Sequence, residues 1–241
     1  MRILALDTAS GLCSAALWID GDVATRELTT ARDHARQILP MVQSLLAEAG
    51  IALAAVDAVA FGRGPGSFTG LRIAASVTQG LAFGADLPVL PVSDLRALAQ
   101  QALMQHALAA DRSAAAPTGI LACLDARMNE VYAALFSMPP SGLVADAPTE
   151  HVVSPAALVG LARAAGSDRS AWIAAGKGLS AYAVELAPLG LHADRSWPDA
   201  EPRAREVAIL GAADFGSGAA LPAEAAVPVY LRDQVAQPSR T

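Results

Sequence analysis

The sequence predicts an α/β fold made of two similar halves, each a mixed β-sheet flanked by helices. Three observations predict it. The N-terminal half reads strand, strand, strand, helix, strand, helix, an order that lays helices against a sheet. A piece of it then recurs. Leu6-Asp7 returns as Leu124-Asp125, and Ala15-Ala16-Leu17 as Ala133-Ala134-Leu135, both displaced by 118 residues. Repetition at one offset marks a duplicated unit, although a chain rich in Ala and Leu also offers such matches by chance. Finally, 241 residues that are 54% hydrophobic and 17% charged can bury a sizeable core.

Residues 2–8 are an apolar strand ending at Asp7, and Ser10-Gly11 turns the chain into a second strand, 12–19. Asp20-Gly21 is a strong hairpin signal, because both residues tolerate positive φ, and 22–30 is the third strand. A helix over 35–49 follows, with Gly50 just past its end. Its apolar residues cover an arc wider than the ~100° stripe of an ordinary surface helix. Residues 56–61 read as a strand, 71–84 as a helix and Val89-Leu90 as a short strand. Ser93 can cap a helix running to about Ala107. The stretch 108–118 is low in complexity, ends in Pro-Thr and reads as a connection. The expected units are therefore 1–107 and 119–231, with 235–241 a loose tail. Beyond the repeated strands the second half is harder to read. It offers a Ser154-Pro155 helix start, a strand at 171–175, a helix near 203–217 able to pack back on the first half, and a last short strand at Val227–Leu231.

Composition excludes several classes. No charge-free run reaches the ~18 apolar residues of a membrane-spanning helix. The start runs straight into a strand, so no leader is expected. Net charge is −6, and the 17 cations, 16 Arg and a single Lys, are scattered. Such a chain is poorly equipped to hold nucleic acid unaided. Cys13 and Cys123 lie in apolar runs and read as buried free thiols in a reducing, cytoplasmic compartment rather than a disulfide.

Four places could carry chemistry. Asp7 ends an apolar strand and is followed by the small residues Thr8, Ala9, Ser10 and Gly11, whose backbone N–H groups could face an anion; a plain Asx turn explains the same residues. Asp125 is its counterpart, but Ala126-Arg127-Met128-Asn129 is too bulky for a backbone cradle around an anion. Gly176-Lys177-Gly178 sits where a nucleotide-binding glycine turn could lie, and equally suits an ordinary strand–helix turn. The richest stretch is Gly62-Arg63-Gly64-Pro65-Gly66-Ser67-Phe68-Thr69-Gly70, between a strand and a helix, the setting in which helix N-termini take anions. It lacks the Lys of a Walker loop and the spacing of a dinucleotide fingerprint. What remains is a conformationally special turn.

The order of elements resembles the actin-like ATPase superfamily, in which two ribonuclease-H-like domains enclose a nucleotide. The glycine stretch continued through Leu71-Arg72-Ile73 is similar to the hallmark of the TsaB family, also called YeaZ. Ile3-Leu4-Ala5-Leu6-Asp7-Thr8, His34 with Ile38-Leu39-Pro40, Asp125-Ala126-Arg127-Met128 with Glu130-Val131-Tyr132, and Pro228-Val229-Tyr230-Leu231-Arg232 match too, in family order across nearly the whole chain. The resemblance implies a non-catalytic partner of TsaD in threonylcarbamoyladenosine synthesis on tRNA. TsaE, a small ATPase, joins the assembly, the chain homodimerises when alone, and tRNA is met only through the complex. It implies no cofactor and leaves Asp7, Thr8, Asp125, Gly176 and Gly178 as phosphate-loop remnants. In the related TsaD a His-x-x-x-His pair holds a metal; here the two positions fall on Asp94 and Leu98, and leucine cannot ligate. His34, before a helix, reads as a cap or surface group. An independent actin-like ATPase or kinase and a metallopeptidase-like protein are the rival readings.

The 71–84 helix is apolar on two faces. The sequence predicts that bulky Ile73, Val77 and Leu81 pack on the sheet. The two helices could then simply cover each other; the resemblance instead implies that Leu71, Ala75, Thr78 and Ala82, with Met41 and Leu45 of the preceding helix, form the partner interface. On that reading Ala75→Glu or Ala82→Arg leaves a folded monomer that has lost its partners.

Overall fold

A computed structural model of the chain describes residues 1–30, 33–109, 116–147, 149–166 and 169–232. The expected tail at 235–241 and most of the connection at 108–118 lie outside the described residues.

The first sheet contains β1 (Arg2–Asp7), β2 (Leu12–Ile19), β3 (Asp22–Thr29), β4 (Ala58–Gly62) and β5 (Val89–Val92), in the order β3-β2-β1-β4-β5. β1, β2 and β3 pair antiparallel, while β4 and β5 run parallel to β1. Asp20 and Gly21 both take positive φ, 48° and 109°, and pair Ile19 with Asp22 across a two-residue turn. The second sheet repeats this plan with β6 (Gly119–Arg127), β7 (Glu130–Phe136), β8 (His151–Val153), β9 (Trp172–Ala175) and β10 (Ser196–Trp197), in the order β10-β9-β6-β7-β8. Again the first three pair antiparallel and the last two parallel.

The repeat is real at the level of topology, but its two sequence matches are not in one register. Asp7 faces Ser14, whereas Asp125 faces Val131 and Cys123 faces Ala133, one residue out of step. A bulge between Asp125 and Arg127 absorbs the difference.

Helices complete five layers. α1 (His34–Ala49) and α2 (Phe68–Ala85) cover the outer face of the first sheet. α3 (Asp94–Ala109) and α7 (Ala204–Gly216) lie between the sheets, and α4 (Pro155–Ala164) with the short helices α5 (Gly178–Ala181) and α6 (Ala183–Leu186) covers the far side of the second. The inner strands are buried on both faces, while the edge strand β3 is largely exposed. In β1, Ile3 and Ala5 pack on α7, and Leu4 and Leu6 on α1. α3 carries buried residues from Asp94 through Ala102, as a helix wedged between two sheets must. Buried Arg96 locks it to α7 by a two-pronged ion pair to Asp214, at 2.7 and 3.0 Å.

Two expectations fail here. Val227–Leu231 forms no strand. Pro228 has no N–H to give a ladder, and the segment keeps a single backbone bond to the glycine stretch, from Val229 N–H to the Arg63 carbonyl at 2.7 Å. The two faces of α2 are also exchanged. Leu71, Ala75, Thr78 and Ala82 are the buried ones, at most 3% exposed, and Ala75 and Ala82 pack with Phe61 of β4 and with Ala223 and Ala226 from the C-terminal region. The small residues let the helix come close to a sheet whose own side chain there is large. Ile73, Val77 and Leu81 are only half-buried beside α1, and Leu45 is a core residue. Among the described residues no helix is long and apolar enough to cross a membrane.

Candidate functional site

The C-terminal ends of β1 and β6 open onto a cleft of about 890 Å³ between the two halves. Its walls bring together the β1–β2 turn, the glycine stretch, the β6–β7 turn, Lys177, Glu201 and the segment 229–232. Every region singled out in the sequence as able to carry chemistry reaches this cleft or the loops behind it.

The glycine stretch is a wedge, not a cradle. A Cβ on Gly70 would overlap the Thr8 carbonyl, one on Gly66 would stand 2.6 Å from the Ala9 carbonyl, and one on Gly64 (φ 112°) 2.6 Å from that of Val229. The loop thus lies backbone to backbone on the β1–β2 turn. Ser67 N–H donates to the Ala9 carbonyl at 2.7 Å, and Thr8 Oγ1 to the Gly70 carbonyl at 2.7 Å. Thr8 is completely buried, so its hydroxyl faces the loop and not a ligand. Arg63 is tied back by a two-pronged pair to Glu150 at 3.1 and 3.2 Å, and Ser93 Oγ donates to the same carboxylate. Arg72 lies 3.9 Å over the Phe68 ring and donates to Tyr230 Oη at 3.1 Å. Thr69 is exposed on the first turn of α2.

Asp7 does not face the cleft either. It is fully buried, and its Oδ1 accepts the Ala9 N–H at 2.9 Å, the Asx turn that was the plainer expectation. Its other oxygen meets the carboxyl of Asp94, itself fully buried and accepting the Gly64 N–H. Gly62 is required at this crossing, because a Cβ there would run into both acids. Burial pushes Asp94 well above the ordinary carboxylate range, and the neighbouring Asp7 charge pushes it further. Burial raises Asp7 as well, against the bond from Asp94. A proton shared between the two carboxyls satisfies both facing oxygens, Asp7 Oδ2 and Asp94 Oδ1. Leu98 packs in the core.

Asp125 is spent on its own turn. Oδ1 accepts Arg127 N–H at 2.8 Å and Tyr182 Oη–H at 3.2 Å, and Oδ2 pairs with the Arg127 guanidinium at 2.9 Å. Arg127, Met128 and Asn129 all take positive φ, 60°, 56° and 60°, a strained run for residues with a Cβ. Gly176 (φ 117°) and Gly178 press their backbones on Cys123, where a side chain would collide. Both cysteines are buried and free; burial raises Cys13 to about 11 and Cys123 to about 12. His34 opens α1 and shares a 2.9 Å hydrogen bond with the Thr30 carbonyl. Among the described residues no three His, Cys, Asp or Glu side chains gather as a metal site.

Glu201 is a site residue that sequence reasoning missed. It joins Gly11 and Lys177, accepting from the Gly11 N–H at 2.9 Å and from Lys177 Nζ at 2.6 Å. The contact to Gly11 spans 190 residues and leaves no local pattern; the usable signal was that Lys177 is the chain's only lysine.

A family model described as TsaD, tRNA N6-adenosine threonylcarbamoyltransferase, matches residues 28–238. The tRNA threonylcarbamoyladenosine biosynthesis protein TsaB of Escherichia coli (strain K12) is 38% identical over 98% of this chain and 96% of its own length. The chain belongs to the TsaB (YeaZ) family. The Haemophilus influenzae TsaB is 48% identical over 55% of this chain and 52% of its own length. A solved structure of YeaZ from Pseudomonas aeruginosa, 38% identical, covers 95% of this chain and 99% of its own with a TM-score of 0.80. That structure thus shares the fold of two similar halves, each a five-stranded mixed sheet flanked by helices.

Proposed function

We propose that this chain acts in the biosynthesis of threonylcarbamoyladenosine on tRNA as the non-catalytic subunit that pairs with the TsaD homologue, with a TsaE homologue joining the larger assembly. The observation that supports it best is the state of the cleft. Each group that would meet a nucleotide in a working actin-like ATPase is engaged within the chain: Asp7 by Asp94, Thr8 by the glycine stretch, Asp125 by its own turn. An acidic chain also leaves RNA binding to its partner, because few phosphate counterions can be displaced by its scattered arginines.

We place the partner interface, and the homodimer of the isolated chain, on the exposed face of α2. There Ser76, Gly80, Phe83 and Gly84 are exposed, beside half-buried Ile73, Val77 and Leu81 and with Met41 of α1 nearby. Phe83 is 61% exposed, and glycines beside it allow a second helix to approach closely. The buried stripe named from the sequence is not available for this role.

Co-purification with the TsaD homologue, followed by a tRNA modification assay with and without this chain, tests the reading. Modification that proceeds equally well without the chain overturns it. The rival ATPase reading wins if the isolated chain hydrolyses ATP well above background and Asp125→Ala abolishes that turnover.

A further inference from the structure

After Ala226 the chain leaves the core. Ala223 and Ala226 are buried against α2, whereas every residue from Val227 to Arg232 is half-buried or exposed. Residues 229–232 form part of the cleft wall and are fastened at two places, one on each half. On the first half, Val229 N–H donates to the Arg63 carbonyl at 2.7 Å. The Tyr230 ring lies 5.3 Å from that of Phe68, and its Oη accepts from Arg72 Nε at 3.1 Å. On the second half, Arg232 pairs with the Glu130 carboxylate at the start of β7. Its guanidinium also lies 3.5 Å from the Arg127 carbonyl and from Met128 Sδ. We propose that residues 228–232 are a releasable strap joining the two halves across the cleft, with the Arg232–Glu130 pair as its latch, and that the strap opens as a unit while both sheets stay folded.

The way the segment is held argues for release. Pro228 has no N–H to donate, and among the described residues 228–232 a single backbone bond, that of Val229, reaches the rest of the chain. A stretch with one backbone bond and no buried side chain lies at the low end of local stabilities. Side chains supply what the backbone does not, and those of the second half are met through Arg232. Its side chain is 17% exposed and that of Glu130 37%, so the pair is sheltered enough to hold and open enough for water to reach it when it parts. Both ends of the strap rest on backbone of special conformation. The Val229 carbonyl stands where a Cβ on Gly64 would come within 2.6 Å, so only glycine admits the strap there. The Arg127 carbonyl beneath Arg232 belongs to the run of three positive-φ residues, 127–129. Such backbone persists only where its surroundings hold it, and Arg232 supplies part of that hold. Phe68 and Arg72 stand on the first turn of α2, so opening the strap frees that turn and the β6–β7 turn together. The inference rests on these contacts and is independent of the chain's role in tRNA modification.

Amide hydrogen exchange of the full chain, followed by NMR, tests it. In the unaltered chain the Val229 amide should be protected, yet exchange well before the amides of β1 and β6, because it opens without them. Arg232→Ala and Glu130→Ala should each speed Val229 exchange about tenfold or more, the scale of one charge-assisted hydrogen bond. The double variant should be no faster than either single one, since both remove the same contact. The amides of β1 and β6 should keep their rates throughout. Circular dichroism checks the fold, and Arg232→Gln, which removes the charge while keeping much of the length, stands in if the alanine variant is unstable. A Val229 amide that is unprotected in the unaltered chain, that the variants leave unchanged, or that exchanges only together with β1 and β6 overturns the proposal. A double variant in which the two single effects multiply overturns the latch as well.

Discussion

At Asp94 the balance of burial and charge has a sign that can be measured. Its folded-state pKa lies above the unfolded value, so the folded chain keeps a proton that the unfolded chain releases. The stability from this proton is fully present below the unfolded carboxylate pKa and is lost as pH rises through the folded one. Asp94→Asn keeps an acceptor for the Gly64 N–H and a donor for Asp7 without a titrating group. It should raise stability at neutral pH and flatten the loss of stability that sets in above the unfolded carboxylate pKa. Urea denaturation across pH checks this; a variant whose curve parallels the wild type's contradicts the shared proton. Gly70 gives a steric counterpart. Gly70→Ala forces a methyl onto the Thr8 carbonyl and should cost about 3 kcal/mol or more, since backbone rather than a pliable side chain stands in the way. Gly80→Ala meets nothing and should add about 1 kcal/mol through helix propensity. Both are read by thermal melts.

At the scale of elements, the Asp20-Gly21 hairpin, the α1 cap and the Ser154 helix start were legible because local chemistry sets them, whereas α2 starts three residues before the expected Leu71, at Phe68. Gly50 takes φ 65° and its N–H bonds the Leu46 and Ala47 carbonyls, and Ser154 accepts the Ala157 N–H, as turn and cap residues announce. The faces of α2 were not legible. Both of its stripes are apolar, and which one meets the sheet depends on Phe61 beneath it and on a segment near residue 225 that no local pattern ties to it. The cleft was half legible for the same reason. Asp7, Asp125 and the glycines stand at strand ends and turns, which sequence displays, whereas their partners Asp94, Glu150 and Glu201 come from afar. The corrected placement reverses the expected outcome on α2. Ala75→Glu puts a charge beside Phe61 with no cation to meet it and should lose several kcal/mol, giving little folded protein. Gly80→Glu projects into solvent and should leave a folded monomer with at least tenfold weaker self-association and binding to the TsaD homologue. Size exclusion and pull-down beside circular dichroism decide. A Gly80→Glu variant that keeps both associations puts the interface elsewhere.

At the scale of the whole molecule, the sequence boundary near residue 107 is not a packing boundary. One face of the first sheet, with Ile3, Ala5, Ala58, Ala60 and Leu90, is covered by α7, which supplies Val207, Ala208 and Leu210 from a hundred residues past that boundary. Gly211 is the point of closest approach, where a Cβ would stand 2.8 Å from Ala60. Residues 1–109 alone would leave that face open to water. At ~25 cal/mol per Å², each large side chain so stranded costs about 1.5–3 kcal/mol, and a handful of them matches the ~5–15 kcal/mol by which a domain is stable at all. The fragment should therefore aggregate or bind hydrophobic dyes, and the intact chain should unfold in one transition in which α7 and β1 lose protection together. Arg96 provides the finer probe, because it fastens α3 to α7 through Asp214 by a pair with a buried guanidinium. Arg96→Ala leaves Asp214 unmatched and empties a packed position, at about 3–5 kcal/mol. If hydrogen exchange in that variant shows α7 released while the second sheet keeps its protection, the C-terminal helix behaves as a clasp on the first half. Uniform loss across both sheets would instead make the molecule a single cooperative unit that the clasp holds as a whole.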